Sequence, residues 1–306
     1  MLVVGGTGES FEGDTRTEVS GLLAGVTDAL DDRFRAQWVG YPASYGPAPH
    51  LSGISYADSV DIGMRNVGDA LDGTTGPVMM IGYSQGAVVI RRLLAERDAH
   101  ADAAIARVLA VGFVADPHQP AGVVAGCAGW GVAGRGPDLP SSIPAWWVGA
   151  PEDMICNASR DSFIRDIADL TSALTFAAPR RWLGEIWKTL RRNSFQNAPL
   201  TSVGPAQWRR DLVRLAAAWR EVRGYLPKVI VWRGVVIRND TGGRHTAYHD
   251  EPYRQASITD PLTTGCEALA HWMQVQATFG APMADATNPM VGDRATTDRS
   301  VDHLVA

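Results

Sequence analysis

Residues 78–94 read VMMIGYSQGAVVIRRLL, and this stretch decides the fold. Gly76-Pro77 breaks the preceding segment, and Val78 to Ile81 then form a short continuous apolar run, the pattern of a parallel strand covered on both faces. Ala87 to Leu94 continue as a helix. Between them lies Gly82-Tyr83-Ser84-Gln85-Gly86, a G-x-S-x-G turn. Such a turn needs small residues two positions either side of the serine, because the sharp backbone leaves no room there for Cβ atoms. Ser84 would sit at its apex, at the positive end of a helix, as a candidate nucleophile. The alternative is an ordinary strand-helix turn; the strand before it and the helix after it weigh against that reading.

Outward from the turn, strands alternate with helices. Met1 to Val4 form a strand running into Gly5-Gly6-Thr7-Gly8, and Val19, Leu22, Leu23, Val26 and Leu30 keep helical spacing after it. A second strand is expected near Ala36 to Tyr41. The next helix carries Val60, Met64, Val67 and Leu71 on one face. Strands follow at Val108 to Ala115 and at Ile143 to Val148, separated by a loop whose glycines, from Gly122 to Gly136, exclude regular structure. The alternation predicts a doubly wound α/β fold, a parallel sheet flanked by helices.

The pattern changes after Cys156. Phe163, Ile167, Leu170 and Leu174 share one helical face, and Trp208, Leu212, Leu215, Trp219 and Val222 share another. The resulting division is a core of residues 1–156 and 241–280, a helical insertion over 157–240 and a loose tail over 281–306. Within the insertion, Lys228 to Ile237 suit either a strand or a buried helix. A helix through Leu269, Trp272, Met273 and Phe279 closes the core. The insertion holds 15 Lys and Arg against 7 Asp and Glu, although the whole chain carries a net charge of -5. Solvated helix faces account for such an imbalance, and an anionic contact surface is the other reading. Trp182, Trp187, Trp208 and Trp219 divide likewise between core packing and an acyl- or wall-binding face.

No apolar stretch reaches the roughly 18 residues that span a bilayer. The opening MLVVGGTGES has neither a basic segment nor a signal-length apolar run, so no signal peptide is expected. Cys127, Cys156 and Cys266 fall in no metal-ligand spacing and read as free thiols of a reducing compartment, with one disulfide as the alternative. Neither G-x-G-x-x-G nor a phosphate-binding loop occurs. No metal, cofactor or nucleic acid is implied, and the chain is expected to be a monomer.

A serine is a weak nucleophile without a base and an acid to orient it. In a fold of this kind the chain order is Ser, then Asp or Glu, then His. Asp116 ends the strand after the elbow helix, and Asp153 ends the following one. Asp153 is preferred, because the acid generally lies a strand or more beyond the elbow. Of the histidines after Asp153, His271 reads as helical and His303 lies in the tail. His245, in the turn-rich loop Asp240 to His245, is preferred over His249, and His118 reads as a loop residue. Gly5-Gly6-Thr7-Gly8 can turn backbone N–H groups toward an oxyanion together with the amide of Gln85.

Together, Val4-Gly5-Gly6-Thr7-Gly8, Gly82-Tyr83-Ser84-Gln85-Gly86-Ala87, Glu152-Asp153-Met154 and His245-Thr246-Ala247-Tyr248, with a helical insertion between acid and base, resemble the lysin B family of mycobacteriophage esterases. The resemblance implies a cutinase-like α/β-hydrolase fold and hydrolysis of the ester joining mycolic acids to arabinogalactan during phage lysis. It assigns Ser84 as nucleophile, Asp153 as acid, His245 as base, and Thr7 with Gln85 as oxyanion hole. It also implies an enzyme held in the host cytoplasm until lysis and acting then on the cell envelope. The Gly-Tyr-Ser-Gln-Gly elbow is equally typical of cutinases and of PE-PPE esterase domains, so a general lipolytic carboxylesterase on simple acyl esters is the alternative.

Overall fold

The computed structural model describes residues 1–160, 162–172, 174, 182–184, 187–188, 191, 205–232, 235–253 and 260–280. Side chains of 205–208, 210, 232 and 235 lie outside the description. Its centre is a sheet of five parallel strands in the order β2-β1-β3-β4-β5. They are β1 (Leu2–Val4), β2 (Gln37–Trp38), β3 (Val78–Tyr83), β4 (Val108–Val114) and β5 (Ala145–Val148). The strand expected over 36–41 therefore shortens to two residues at the sheet edge.

The central strand β3 is buried at every position, and its side chains divide between two cores. Val78 and Met80 join the layer under α2 (Tyr56–Asp72) and α3 (Gln85–Ala99). Met79, Ile81 and Tyr83 join the opposite layer, under α1 (Ala24–Thr27) and a C-terminal helix, Gly265–Phe279. This is the two-residue period of a strand covered on both sides, and the parallel sheet with a core on each face is the expected α/β fold. The expected face of α2 is present, with Val60, Met64, Val67 and Leu71 buried and Ser55 capping its first turn through the Asp58 amide. The Gly265–Phe279 helix begins with a complete capping box, Thr264 and Glu267.

Three expectations need correction. The helix expected from Val19 to Leu30 is a single turn, because Gly21 takes a left-handed φ of 73° and the Leu22 amide donates to Glu9 instead of to a preceding turn. Leu22, Leu23 and Val26 are nevertheless buried. In α4 (Phe163–Thr171) the buried residue is Arg165, whose guanidinium donates to the carbonyls of Ser159, Gly131, Trp130 and Ala158, while Ile167 is exposed. In α5 (Pro205–Tyr225) the expected apolar face is not a buried one: Val222 is only half-buried, and the Trp208 side chain lies outside the described residues. Leu212, Leu215 and Trp219 are exposed, whereas Arg214, Ala217 and Ala218 are buried. Arg214 joins α5 to α4 by pairing with Asp166 at 2.9 Å and lying 3.9 Å from the centre of the Phe163 ring. Side-chain cations that find carbonyl, carboxylate and ring partners thus occupy positions where apolar periodicity would place leucines.

After α5 comes an antiparallel hairpin, β6 (Val229–Trp232) and β7 (Val235–Arg238), which resolves the 228–237 ambiguity in favour of strands. The C-terminal helix, α6 (Gly265–Phe279), packs on α1, β4 and β5. Residues 281–306, expected as a tail, lie outside the described residues. Among the described residues no helix is long and apolar enough to cross a membrane.

Candidate active site

The carboxyl ends of the parallel strands converge on one region, where ligands of open α/β sheets bind. Ser84 follows β3 directly and has φ 51° and ψ -115°, a left-handed backbone that is costly for a residue with a Cβ. The glycines around it make this possible. A Cβ on Gly82 would lie 2.8 Å from the backbone N and Cα of Ala87, and one on Gly86 would run into the Val4 carbonyl oxygen. Although Ser84 stands at the N-cap of α3, its hydroxyl caps no amide of that helix.

The hydroxyl meets a histidine instead. Ser84 Oγ lies 3.1 Å from Nε2 of His245, and Nδ1 of His245 lies 2.9 Å from Oδ2 of Asp153. With the Nδ1 proton donated to the carboxylate, Nε2 is the acceptor for the serine proton. All three residues are buried. The His245 carbonyl accepts from Tyr83 Oη at 2.9 Å, and the rings of Tyr83 and Tyr225 lie 5.1 and 5.3 Å from the imidazole.

Asp153 is fully enclosed. Burial pushes its carboxyl pKa up. The attraction of His245 and hydrogen bonds from His245, Tyr248 and the Ile155 amide more than offset this, holding it below the ordinary value. Tyr248 was not singled out as a site residue in the sequence. It stands three positions after His245, and the short 3-10 turn Ala247–His249 brings its hydroxyl to within 2.7 Å of Asp153 Oδ2.

The other candidates lie elsewhere. Asp116, also fully buried, accepts from Arg91 Nη2 at 2.7 Å, Trp147 Nε1 at 3.0 Å and the His118 amide at 2.8 Å. His118 Nδ1 contacts the Gly134 carbonyl. His249 is exposed, with Nδ1 against the Thr246 carbonyl, and His271 lies on the exposed side of α6. His303 is outside the described residues.

The turn after β1 is fastened by Glu9, whose carboxylate accepts the amides of Gly6 and Leu22, each at 2.7 Å. The Gly8 amide is taken by the Ala43 carbonyl. Among the described residues the backbone amides of Thr7 and Gln85 have no protein acceptor. Their side chains are joined, Thr7 Oγ1 donating to Gln85 Oε1 at 3.0 Å, while Gln85 Nε2 donates to the Ser44 carbonyl at 3.1 Å.

Ser84 and His245 open onto a cavity of about 820 Å³. Much of its lining is apolar, including Tyr45, Tyr56, Val88, Val132, Ile155 and Ile164. The helix α4 contributes Ile164, Ile167 and Ala168 to this lining. Cys127, Cys156 and Cys266 are all buried and unbridged. Among the described residues no cluster of His, Cys, Asp and Glu is arranged to hold a metal ion.

The sequence pattern of the PE-PPE domain family matches residues 33–139, a span that includes Ser84 and stops before Asp153 and His245. No curated protein sequence matches the chain. The structure is similar to lysin B from Mycobacteriophage D29, at 15% identity and a TM-score of 0.45, over 89% of this chain and 98% of that one. It is also similar to a cutinase-like protein from Cryptococcus sp., at 18% identity and a TM-score of 0.38, over 51% of this chain and 77% of that one.

Proposed function

We propose that the protein is a serine esterase that cleaves the ester between mycolic acids and arabinogalactan during phage lysis. The observation that carries the esterase reading is the hydrogen-bonded line from Ser84 Oγ through His245 to Asp153, opening onto a largely apolar cavity. Ser84 Oγ attacks the ester carbonyl carbon as His245 Nε2 takes its proton, and Asp153 stabilises the imidazolium. The unoccupied amides of Thr7 and Gln85 receive the oxyanion, each worth about 100- to 1000-fold in turnover. Collapse expels the alcohol, protonated by His245, and water then releases the carboxylic acid from Ser84 by the same route.

The mycolyl substrate is supported by the sequence resemblance and by the surface of the 157–240 segment. Leu212, Leu215, Trp219 and Trp187 are all exposed there, more apolar surface than a solvated helix pair requires. A lipolytic esterase acting on simple acyl esters is the second reading, favoured by the largely apolar cavity at Ser84. Incubation with purified mycolyl-arabinogalactan-peptidoglycan separates them. Release of free mycolic acid by the wild type and not by Ser84→Ala supports the first, whereas turnover of p-nitrophenyl esters with no mycolate release leaves the second.

A further inference from the structure

The strands β6 and β7 pair only with each other among the described residues, with Val231 opposite Val236 and Ile230 opposite Ile237. Successive side chains of a strand point to opposite faces, so Val229, Val231 and Val236 share one face of this ribbon and Ile230 and Ile237 the other. A sheet that packs on a core hides one of its faces. Here both meet water: Val229, Val231 and Val236 are 53%, 67% and 59% exposed on one side, and Ile237 is 47% exposed on the other. A two-stranded ribbon is marginal by itself, and apolar side chains left open on both faces mark a surface made for a partner.

The charge of the ribbon has one sign. Residues 228–238, KVIVWRGVVIR, contain three cations and no acid. Lys228 pairs with Glu251, whereas Arg238 and Arg223 are exposed and form no ion pair among the described residues. A stem of backbone hydrogen bonds holds the ribbon: the Asn239 amide donates to the Lys228 carbonyl at 2.7 Å, Gly243 to Leu226 at 2.7 Å and Arg244 to Gly224 at 3.0 Å. One arm of the stem carries Tyr225 and the other runs into His245, and both of these residues line the cavity at Ser84.

We infer that this hairpin is a docking finger for a bilayer surface with anionic headgroups. A flat protein surface would cover one face of the ribbon and leave the other in water, whereas lipid closes around both. A second copy joined edge to edge would extend the sheet and still leave both faces exposed. The unpaired edges set the depth. Backbone N–H and C=O groups without partners stay out of hydrocarbon, so the finger lies at the boundary of headgroups and acyl chains, where Arg238 meets negative charge. Docking does not depend on the esterase reading; for an esterase, it would hold the mouth of the catalytic cavity beside the lipid.

Full-length Ser84→Ala is mixed with vesicles of equal parts phosphatidylcholine and phosphatidylglycerol, or of phosphatidylcholine alone, and bound protein is measured by flotation. Saturable binding to the anionic vesicles is expected, weaker by about tenfold or more on phosphatidylcholine alone, in Arg238→Glu and in Val231→Ser/Val236→Ser. With Ser84 restored, the same substitutions should leave p-nitrophenyl butyrate hydrolysis within about twofold, since a soluble ester needs no docking. Absence of vesicle binding, equal binding to the two kinds of vesicle, or binding indifferent to the substitutions would each overturn the finger. Self-association in sedimentation velocity that Val231→Ser/Val236→Ser abolishes, without vesicle binding, would also overturn it and assign the ribbon to a second copy. Vesicle binding by a chain that hydrolyses no ester would instead remove the esterase reading and leave the finger standing.

Discussion

The hydroxyl of Tyr248 donates to Oδ2 of Asp153 at 2.7 Å, and that oxygen also receives His245 Nδ1 at 2.9 Å. Tyrosine and imidazole are therefore coupled through one atom, and the tyrosine fixes the carboxylate that orients the imidazole. Tyr248→Phe removes a charge-assisted hydrogen bond without removing the ring, and about a tenfold loss in kcat is expected. Steady-state kinetics on a p-nitrophenyl ester provide the check; an unchanged kcat would show that the Ile155 amide and His245 suffice to orient Asp153.

The same substitution carries a pH signature. Asp153 has a depressed pKa in the folded protein, so its contribution to stability is present above the unfolded carboxylate value and is lost as pH falls through the lower folded value. Removing the Tyr248 donor raises the folded value, and the acid-side loss of stability should begin at higher pH than in the wild type. Melting temperatures measured across the acid range test this, and superimposable curves would contradict it.

Ser84→Ala should leave a folded protein with esterase activity near background, because the hydroxyl caps no helix amide while it is the group hydrogen-bonded to His245 and proposed to attack. Circular dichroism together with p-nitrophenyl butyrate hydrolysis decides the matter, and more than a few percent of residual activity would remove Ser84 as nucleophile.

Asp153→Asn and His245→Ala should each lower turnover by roughly 1000-fold or more, since the members of such a line act as a unit. Asp116→Asn should behave in the opposite way. Its carboxylate is buried against Arg91, so the loss falls on stability, on the order of 3 kcal/mol, and much less on turnover. Urea unfolding beside kinetics distinguishes the two carboxylates; a stable but inactive Asp116→Asn would reverse their roles.

Trp187 and Trp219 are 66% and 64% exposed, whereas Trp182 is tied to α4 through a hydrogen bond from Nε1 to the Leu170 carbonyl. Replacing Trp187 and Trp219 together by Ser should lower mycolate release from intact wall material relative to p-nitrophenyl butyrate hydrolysis by about tenfold, because binding remote from the carbonyl acts only on a substrate that reaches it. Equal losses on both substrates would mean that these rings only support the site. Arg192, a basic residue of the same segment, lies outside the described residues.

The α/β frame was readable because β3 and α2 obey simple periods and because Gly82 and Gly86 mark a turn that few other residues can make. Chain order pointed to Asp153 and His245 as residues to compare. The faces of α4 and α5 were not readable from apolar spacing, because Arg165 and Arg214 are buried by carbonyl, carboxylate and ring partners distant in sequence. One side of α4 borders a cavity, so apolar spacing there does not mark a helix-packing face. The contact of Tyr248 was not legible for a similar reason: a tyrosine after a histidine has no assigned partner until a 3-10 turn and a distant aspartate give it one.

The contact of Gly86 with the Val4 carbonyl, and of Gly82 with the start of α3, separates two kinds of information within five letters of sequence. The glycines record how closely a helix is pressed onto its sheet, whereas the proposed reactivity lies in the serine midway between them. A search for descendants of this architecture would therefore do well to fix both glycines and leave position 84 open. Chains recovered with another residue there would retain the scaffold and the cavity at its strand ends, and would be the natural place to look for proteins that bind in that cavity without reacting.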